Sequence, residues 1–162
     1  MDKTLLQQQV LDRLTEDLLQ VEQAARAAHE TATHEENIAE NKYDTLGLEA
    51  AYLATGQARR AEAIRQAMLS WHRFRPQPYD AGKGVQLGAL VCLVDVEDAR
   101  QQRLLFLGPA GGSMTLLCGE QRVQVISSDA PLCKAVLGKF EGDEVSLQIA
   151  ALRQHFELLW VQ

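Results

Sequence analysis

The chain has 162 residues, of which 46% are hydrophobic and 23% charged, with a net charge of -6 at pH 7 and a pI near 5.2. This acidic balance argues against direct sequence-specific binding of nucleic acid, because counterion release requires clustered lysine and arginine facing phosphates. No apolar run approaches the ~20 residues that cross a bilayer, no signal peptide is evident, and Cys92, Cys118 and Cys133 lack ligand-like spacing. We therefore expect a cytoplasmic protein with reduced thiols and no membrane contact.

Two stripes of apolar and small residues predict a pair of long helices in the first part of the chain. The first stripe is Leu11, Leu14, Leu18, Val21, Ala25, Ala28 and Ala32, and the second is Leu46, Ala50, Leu53, Gln57, Ala61, Ile64, Met68 and Trp71. Both alternate gaps of three and four residues, as a helix packed on one partner requires. Their bulky residues lie at opposite ends, which predicts an antiparallel coiled-coil hairpin that folds back near Glu40.

The predicted turn of the hairpin is acidic. Glu36, Glu40 and Asp44 follow one another at four-residue spacing and would share a helical face. Like charges at this spacing destabilise a helix by a few tenths of a kcal/mol per pair, so the face needs full solvation or a cationic partner. Carboxylates are also the ligands that magnesium prefers, so a solvated face and a cation-binding tip are both open interpretations. His29 and His34 are five residues apart, which argues against a zinc site.

A change of composition marks a boundary after the second helix. Prolines and glycines between Pro76 and Gly84 cannot continue the helical pattern. We predict a helical hairpin over residues 1–76, a linker over 77–84 and a second domain over 85–162. The glycine-rich segments at residues 82–84 and 108–113 lack the G-K-[ST] ending and the following helix of a phosphate-binding loop.

The second domain reads as strands separated by turns. The predicted strands are 85–96, 104–107, 114–118, 123–126, 145–152 and 156–161. A short helical stretch from Pro131 to Leu137 follows Ser127, Ser128 and Asp129 as cap candidates and ends at Gly138. The sequence thus predicts an α+β protein whose mostly antiparallel sheet carries one short helix. His155 is the only histidine of this domain, and we expect it on the surface.

One segment carries a family resemblance. Residues 126–139 read I-S-S-D-A-P-L-C-K-A-V-L-G-K and residues 142–145 read G-D-E-V, which is similar to the signature of the C-terminal domain of Gre-type bacterial transcription elongation factors. The order of hairpin and domain, the chain length and Tyr52 extend the similarity to the whole chain. The resemblance implies an FKBP-like C-terminal domain that docks on bacterial RNA polymerase near its secondary channel. It also implies a hairpin that enters the channel and whose tip carboxylates help to hold a catalytic magnesium ion and stimulate cleavage of backtracked RNA.

The resemblance, together with the acidic pattern of the turn, also assigns residues to these roles. The expected docking residues are Asp129, Pro131, Leu132 and Lys134, and the expected acidic tip residues are Glu36, Glu40, Asp44 and Glu49. Asp44 is the residue expected to share the polymerase's magnesium ion. We accordingly expect a monomeric accessory factor that is not itself an enzyme and has no cofactor of its own.

The tip departs from the family pattern. Cleavage-stimulating members carry D-x-x-E in a D-L-R-E-N-A-E-Y-like run, whereas Asp44 is followed here by Glu49 at a distance of five residues. On a helix this spacing points the two carboxylates apart, so they cannot share one metal ion. An inhibitory homologue without cleavage activity is therefore an alternative, as is a protein whose coiled coil only dimerises. Prolyl isomerase activity rests on the implied fold alone, and fold does not confer function.

Overall fold

The computed structural model describes residues 1–33, 45–149 and 152–162. In these ranges the helices are α1 (Lys3–Thr33), α2 (Leu46–Arg73) and α3 (Pro131–Val136). The strands are β1 (Leu90–Asp95), β2 (Gln102–Gly108), β3 (Met114–Cys118), β4 (Gln121–Ser127), β5 (Glu144–Ile149) and β6 (Leu152–Val161). This confirms the predicted architecture of a helical hairpin followed by a mostly antiparallel sheet with one short helix.

The chain divides into two compact units. The sheet unit comprises Met1–Leu11 and Ser70–Gln162, and the hairpin unit comprises Asp12–Leu69. The sheet unit therefore includes the first turns of α1 and the last residues of α2. No helix among the described residues is long and apolar enough to cross a membrane.

In the hairpin unit, α1 and α2 pack through a narrow seam. Every residue of the first predicted stripe is buried or half-buried. In α2 the prediction is wrong at Leu53, which is 55% exposed, while Ala54 is half-buried. Both positions fit a helical period, so the spacing alone does not decide which of them faces the seam. Across the helices, Arg65 forms an ion pair with Glu22.

In the sheet unit, the six strands of the described residues form one sheet in the order β3-β4-β2-β1-β6-β5. All neighbours are antiparallel except β2 and β4, which pair in parallel with Phe106 opposite Val125 and Gly108 opposite Ser127. The pairing of β1 with β6 shifts register between Cys92 and Leu93. β2 and β4 are thus neighbours although β3 lies between them in sequence.

Of the six predicted strands, only 114–118 has the predicted limits, and two of the differences have a clear course along the chain. The run from Val85 becomes a strand only at Leu90, because Gly84 and Gly88 have φ angles of 68° and 88° and interrupt the extended backbone. Val85 instead pairs with the segment after α3, donating to Lys139 O at 2.8 Å. The run predicted over 145–152 ends as β5 at Ile149, and β6 already begins at Leu152.

One face of the sheet and α3 enclose the main core. It contains Val85, Ala89, Val91, Leu93, Leu105, Leu107, Ile126, Cys133, Val136, Val145, Phe156, Leu158 and Val161. Pro131 occupies the first turn of α3. Backbone N–H groups in a first turn have no acceptor within the helix, so the absence of an N–H in proline removes no helical hydrogen bond. The predicted caps are wrong: the N-cap is Ala130 and has no side-chain cap hydrogen bond, because the Ser127 hydroxyl bonds Asp129 instead.

Candidate functional site

The predicted docking residues all lie in residues 127–134, here called the α3 segment. Ser127 is buried at the end of β4, and its hydroxyl donates a hydrogen bond to Asp129 Oδ1. This bond, followed by a backbone hydrogen bond and the charge of Lys134, lowers the pKa of the Asp129 carboxyl. The side chain of Asp129 is exposed. The α3 segment therefore presents an ionised carboxylate to solvent in a fixed position.

Further bonds hold the backbone of the α3 segment. The Ser128 hydroxyl donates to Pro109 O at 3.1 Å, which ties the segment to the connection between β2 and β3. Ala130 N donates to Ser127 O at 3.0 Å and closes the turn before the helix. Because these bonds fix the backbone before any partner arrives, binding would cost little conformational entropy.

The side chains of the α3 segment form a small mixed surface. Pro131 and Lys134 are exposed, while Leu132 is half-buried and packs against the core. An apolar centre flanked by one negative and one positive charge is suited to recognition of another protein. Cys133 of the same helix is buried, and desolvation raises the pKa of its thiol to about 11, so it is not a nucleophile at neutral pH.

Of the predicted tip residues, the structure describes one. Glu36, Glu40 and Asp44 lie outside the described residues. Glu49 is exposed in the first turn of α2, and its Oε1 accepts a hydrogen bond from Thr45 Oγ1 at 3.2 Å. A carboxylate at this position also stabilises the helix N-terminus, so Glu49 has a structural role whatever it binds.

The question of a metal ion stays open at Asp44. In residues 1–33, 45–149 and 152–162, no group of three histidine, cysteine or acidic side chains could hold a metal ion. His155 is half-buried and lies 3.0 Å from the Ser146 hydroxyl through Nδ1. The sharing of a magnesium ion through Asp44 therefore stays a prediction.

Sequence reasoning missed an apolar surface at the start of α2. Leu48, Tyr52 and Leu53 are 57%, 71% and 55% exposed. Large apolar side chains grouped on a helix surface are typical of a contact with another macromolecule. Leu48 and Tyr52 lie four residues apart and outside the predicted stripe, and this spacing could have indicated the surface.

The described residues thus form two units: one of two packed long helices, and a sheet unit with an ordered, exposed α3 segment. No family model matches the chain. It is 27% identical over 164 residues to transcription elongation factor GreA of Nitratidesulfovibrio vulgaris strain DP4, covering 94% of this chain and 84% of that protein. It is 30% identical over 81 residues to transcription elongation factor GreA of Xanthomonas axonopodis pv. citri, covering 50% of this chain and 47% of that protein. The chain is thus related to the Gre-type transcription elongation factors, which confirms the resemblance seen in the sequence.

Two solved structures match most of the chain at low sequence identity. GreA factor homolog 1 (Gfh1) of Thermus thermophilus is 22% identical, with 94% of each chain covered and a TM-score of 0.37. Gfh1 of Thermus aquaticus is also 22% identical, with 93% of this chain and 92% of that chain covered and a TM-score of 0.39.

Proposed function

We propose that the chain is an accessory factor of transcript elongation that acts on bacterial RNA polymerase in the cytoplasm. It docks through the α3 segment and inserts the tip of its hairpin into the secondary channel of the polymerase. The relationship to transcription elongation factors along nearly the whole chain supports the class of function. The observation that carries the docking proposal is the fixed, ionised and exposed carboxylate of Asp129 beside the exposed ring of Pro131.

The docking surface fits a protein partner with a basic patch. Asp129 can accept charge-assisted hydrogen bonds from an arginine or lysine, and its position is held by the buried hydroxyl of Ser127. Pro131 and Leu132 add a small apolar contact that excludes water around that bond.

Binding assays with purified core RNA polymerase test the docking. We expect Asp129→Asn to raise the Kd at least about tenfold, because a truncated charged hydrogen bond typically costs ~2 kcal/mol or more at an interface. Pro131→Ala should also raise the Kd, because it removes part of the apolar contact beside that bond. Glu120→Gln is the matched control, since Glu120 is an exposed carboxylate elsewhere in the sheet unit. Wild-type protein that does not bind the polymerase at micromolar concentration would contradict the proposal, as would equal affinity of Asp129→Asn.

The tip determines the direction of the effect on the transcript. Asp44 has no second acidic residue three positions later, and the carboxylate of Glu49 bonds Thr45. We infer that the protein modulates elongation and that any magnesium ion involved belongs to the polymerase, so the factor is not itself an enzyme. Glu36 and Glu40 are the alternative acidic partners of Asp44.

Stalled, backtracked transcription complexes distinguish stimulation of cleavage from inhibition. The RNA is followed on gels with wild type, Asp44→Ala and Glu49→Gln. If wild type shortens the transcript and Asp44→Ala does not, the protein stimulates cleavage through Asp44. If wild type slows the polymerase's intrinsic cleavage of the transcript, the protein is an inhibitor. If wild type and Asp44→Ala shorten the transcript equally, Asp44 has no part in the mechanism.

Dimerisation through the hairpin is the second candidate, favoured by the exposed Leu48, Tyr52 and Leu53. The proposal predicts a monomer, with this surface free to contact the polymerase. Light scattering over a range of concentrations measures the mass. A dimer that Tyr52→Ser dissociates would favour the second candidate.

A further inference from the structure

A tryptophan of the sheet unit packs against the end of β2. Trp71 belongs to this unit and is fully buried. A Cβ atom on Gly108 would lie 2.2 Å from Trp71 Cζ2 and 2.6 Å from its Cη2, closer than real Cβ atoms approach a ring. The indole also packs on Phe106, with 5.7 Å between ring centroids. The ring therefore lies against the backbone of β2 in a place that exists only because residue 108 is glycine.

The position of the indole is fixed by contacts inside the sheet unit. The side-chain amide of Gln7 donates hydrogen bonds to Trp71 O at 2.7 Å and to Phe74 O at 3.1 Å. The ring of Phe74 meets the indole edge to face, with 5.7 Å between ring centroids and an interplanar angle of 87°. Gln7 and Phe74 both belong to the sheet unit. The indole thus has one defined place relative to the sheet.

The indole bonds the connection that leads from β2 to β3. Trp71 Nε1 donates a hydrogen bond to Ala110 O at 2.9 Å. The preceding residue, Pro109, accepts a hydrogen bond from the Ser128 hydroxyl at 3.1 Å. Two neighbouring residues of one connection are therefore bonded to the indole and to the α3 segment.

The same connection has little stiffness of its own. Gly111 and Gly112 follow directly and have φ angles of 98° and 73°. Glycine has more backbone freedom than any other residue, so two in succession restrict the path of the chain only weakly. The hydrogen bond from the indole is therefore needed to hold the carbonyl groups of residues 109 and 110 in place.

A second path runs through the sheet itself. Gly108, on which the indole lies, is paired with Ser127 in the parallel ladder of β2 and β4. The hydroxyl of Ser127 donates the hydrogen bond that holds Asp129. A displacement of the backbone at residue 108 would move Ser127 and with it the carboxylate of Asp129.

We infer that Trp71 is a positioning residue of the docking site, which acts through residues 108–110 on the carboxylate of Asp129. This inference deepens the proposed function and rests on it. Because Trp71 is fully buried, it cannot touch the polymerase, and any effect on affinity passes through its neighbours. A docking segment that is held in place binds more tightly than one that must be ordered on binding.

Binding to core RNA polymerase tests the inference at a temperature well below the melting temperature of each variant. Trp71→Phe keeps a ring but loses the N–H donor. Trp160→Phe is the matched control, because it makes the same change at the other tryptophan of the chain, which is half-buried in β6. We expect Trp71→Phe to raise the Kd about fivefold, the factor that one lost hydrogen bond typically produces, and Trp160→Phe to stay within about twofold.

A second substitution removes the hydrogen bond without changing the packing. Benzothienylalanine is placed at residue 71 in the Trp160→Phe background, where residue 71 is the only tryptophan position left. A sulfur atom then replaces the N–H group while the shape of the ring is kept. We expect the same rise of the Kd as for Trp71→Phe. A Kd equal to that of Trp160→Phe would show that the bond to Ala110 has no part in docking.

The carboxyl group of Asp129 gives a readout that a general loss of stability would not change. The hydrogen bond from Ser127 holds the pKa of this carboxyl below its ordinary value of 3.8. An NMR titration of the free protein should therefore show a rise of this pKa toward 3.8 in Trp71→Phe and no change in Trp160→Phe. In the Asp129→Asn background, Trp71→Phe should add less than about twofold to the Kd, because both changes act on the same contact.

The outcomes separate the inference from the proposed function. If wild type binds the polymerase and Trp71→Phe binds equally well, the inference is wrong and the proposed function stands. Weaker binding of Trp71→Phe with an unchanged titration of Asp129 would also overturn the inference. Wild-type protein that does not bind polymerase would overturn the proposed function, and the inference with it.

Discussion

The sheet unit completely buries Trp71, Phe106 and Phe156, whereas the largest buried side chains of the hairpin unit are leucine and valine. The buried apolar residues of the hairpin unit are Leu14, Val21, Ala28, Ala50, Ala61 and Ala67. Apolar burial stabilises by roughly 25 cal/mol per Å², so an alanine seam contributes far less than aromatic rings. The comparison teaches that the sheet unit owes its stability to its core, while the hairpin unit depends more on its helical hydrogen bonds.

Removal of a buried ring from the sheet unit should have the largest effect. Phe106→Ala should lower the free energy of unfolding by about 3–5 kcal/mol, because it removes a fully buried side chain and leaves a cavity under Trp71. Urea denaturation followed by circular dichroism measures the change. Leu159→Ala is the control, since Leu159 is 40% exposed, and it should cost less than about 1 kcal/mol. Similar losses for both would break the comparison.

The hairpin seam should show a smaller and local effect. Val21→Ala should cost about 1–2 kcal/mol, because it removes two buried methyl groups from a seam with few others. Hydrogen exchange should speed up at the amides of residues 12–33 and 45–69 and stay unchanged in the strands. Leu19→Ala, at an exposed position of α1, serves as the matched control. Equally faster exchange in the strands would show that the two units unfold together.

The hairpin should also be open to stabilisation. A Cβ atom on Gly56 would meet nothing within 4 Å, so Gly56→Ala should raise the free energy of unfolding by up to ~1 kcal/mol through helix propensity. Gly112→Ala provides the contrast, because Gly112 has equal space but a φ of 73° that strains an alanine. Thermal melts compare the two variants. A destabilised Gly56→Ala would show that α2 needs flexibility at this point.

Alkaline pH should affect the sheet unit through Cys133. Burial raises the pKa of this thiol to about 11 in the folded protein, above its ordinary value of 9.0. The unfolded chain therefore releases the proton first, so the contribution of Cys133 is full below pH 9 and declines as the pH rises toward 11. Melting temperatures of wild type and Cys133→Ala across this range isolate the effect. Parallel curves for the two proteins would contradict it.

The sequence predicted the hairpin and the α3 segment because both follow from local patterns. Heptad spacing identified the seam from Leu11 to Ala32, and a proline and a glycine marked the limits of α3. Leu53 was misplaced because the spacing of the stripe admits either residue 53 or residue 54, and the structure half-buries Ala54. The N-cap of α3 was misplaced because the helix begins at Pro131, which makes Ala130 the N-cap instead of Ser127, Ser128 or Asp129.

The close contact between Trp71 and Gly108 in the sheet unit, which leaves no room for a side chain at residue 108, could not be predicted in the same way. Trp71 and Gly108 are far apart in sequence, and a glycine at the end of a strand looks like an ordinary turn residue. The fit between them depends on the tertiary approach of α2 to β2, and no periodic pattern encodes that approach. The predicted tip carboxylates at Glu36, Glu40 and Asp44 lie outside the described residues, so their geometry stays a prediction.

The place of β6 in the sheet has a consequence for the order in which the protein folds. β6 lies between β1 and β5, and its residues 156–161 pair with β1 at the centre of the sheet. Contacts so far apart in sequence close slowly, whereas the helices of the hairpin need only local contacts. A nascent chain can therefore form its two long helices well before the sheet is complete. Until β6 arrives, one edge of β1 has unsatisfied backbone groups, and this interval is when the protein is most exposed to misassembly.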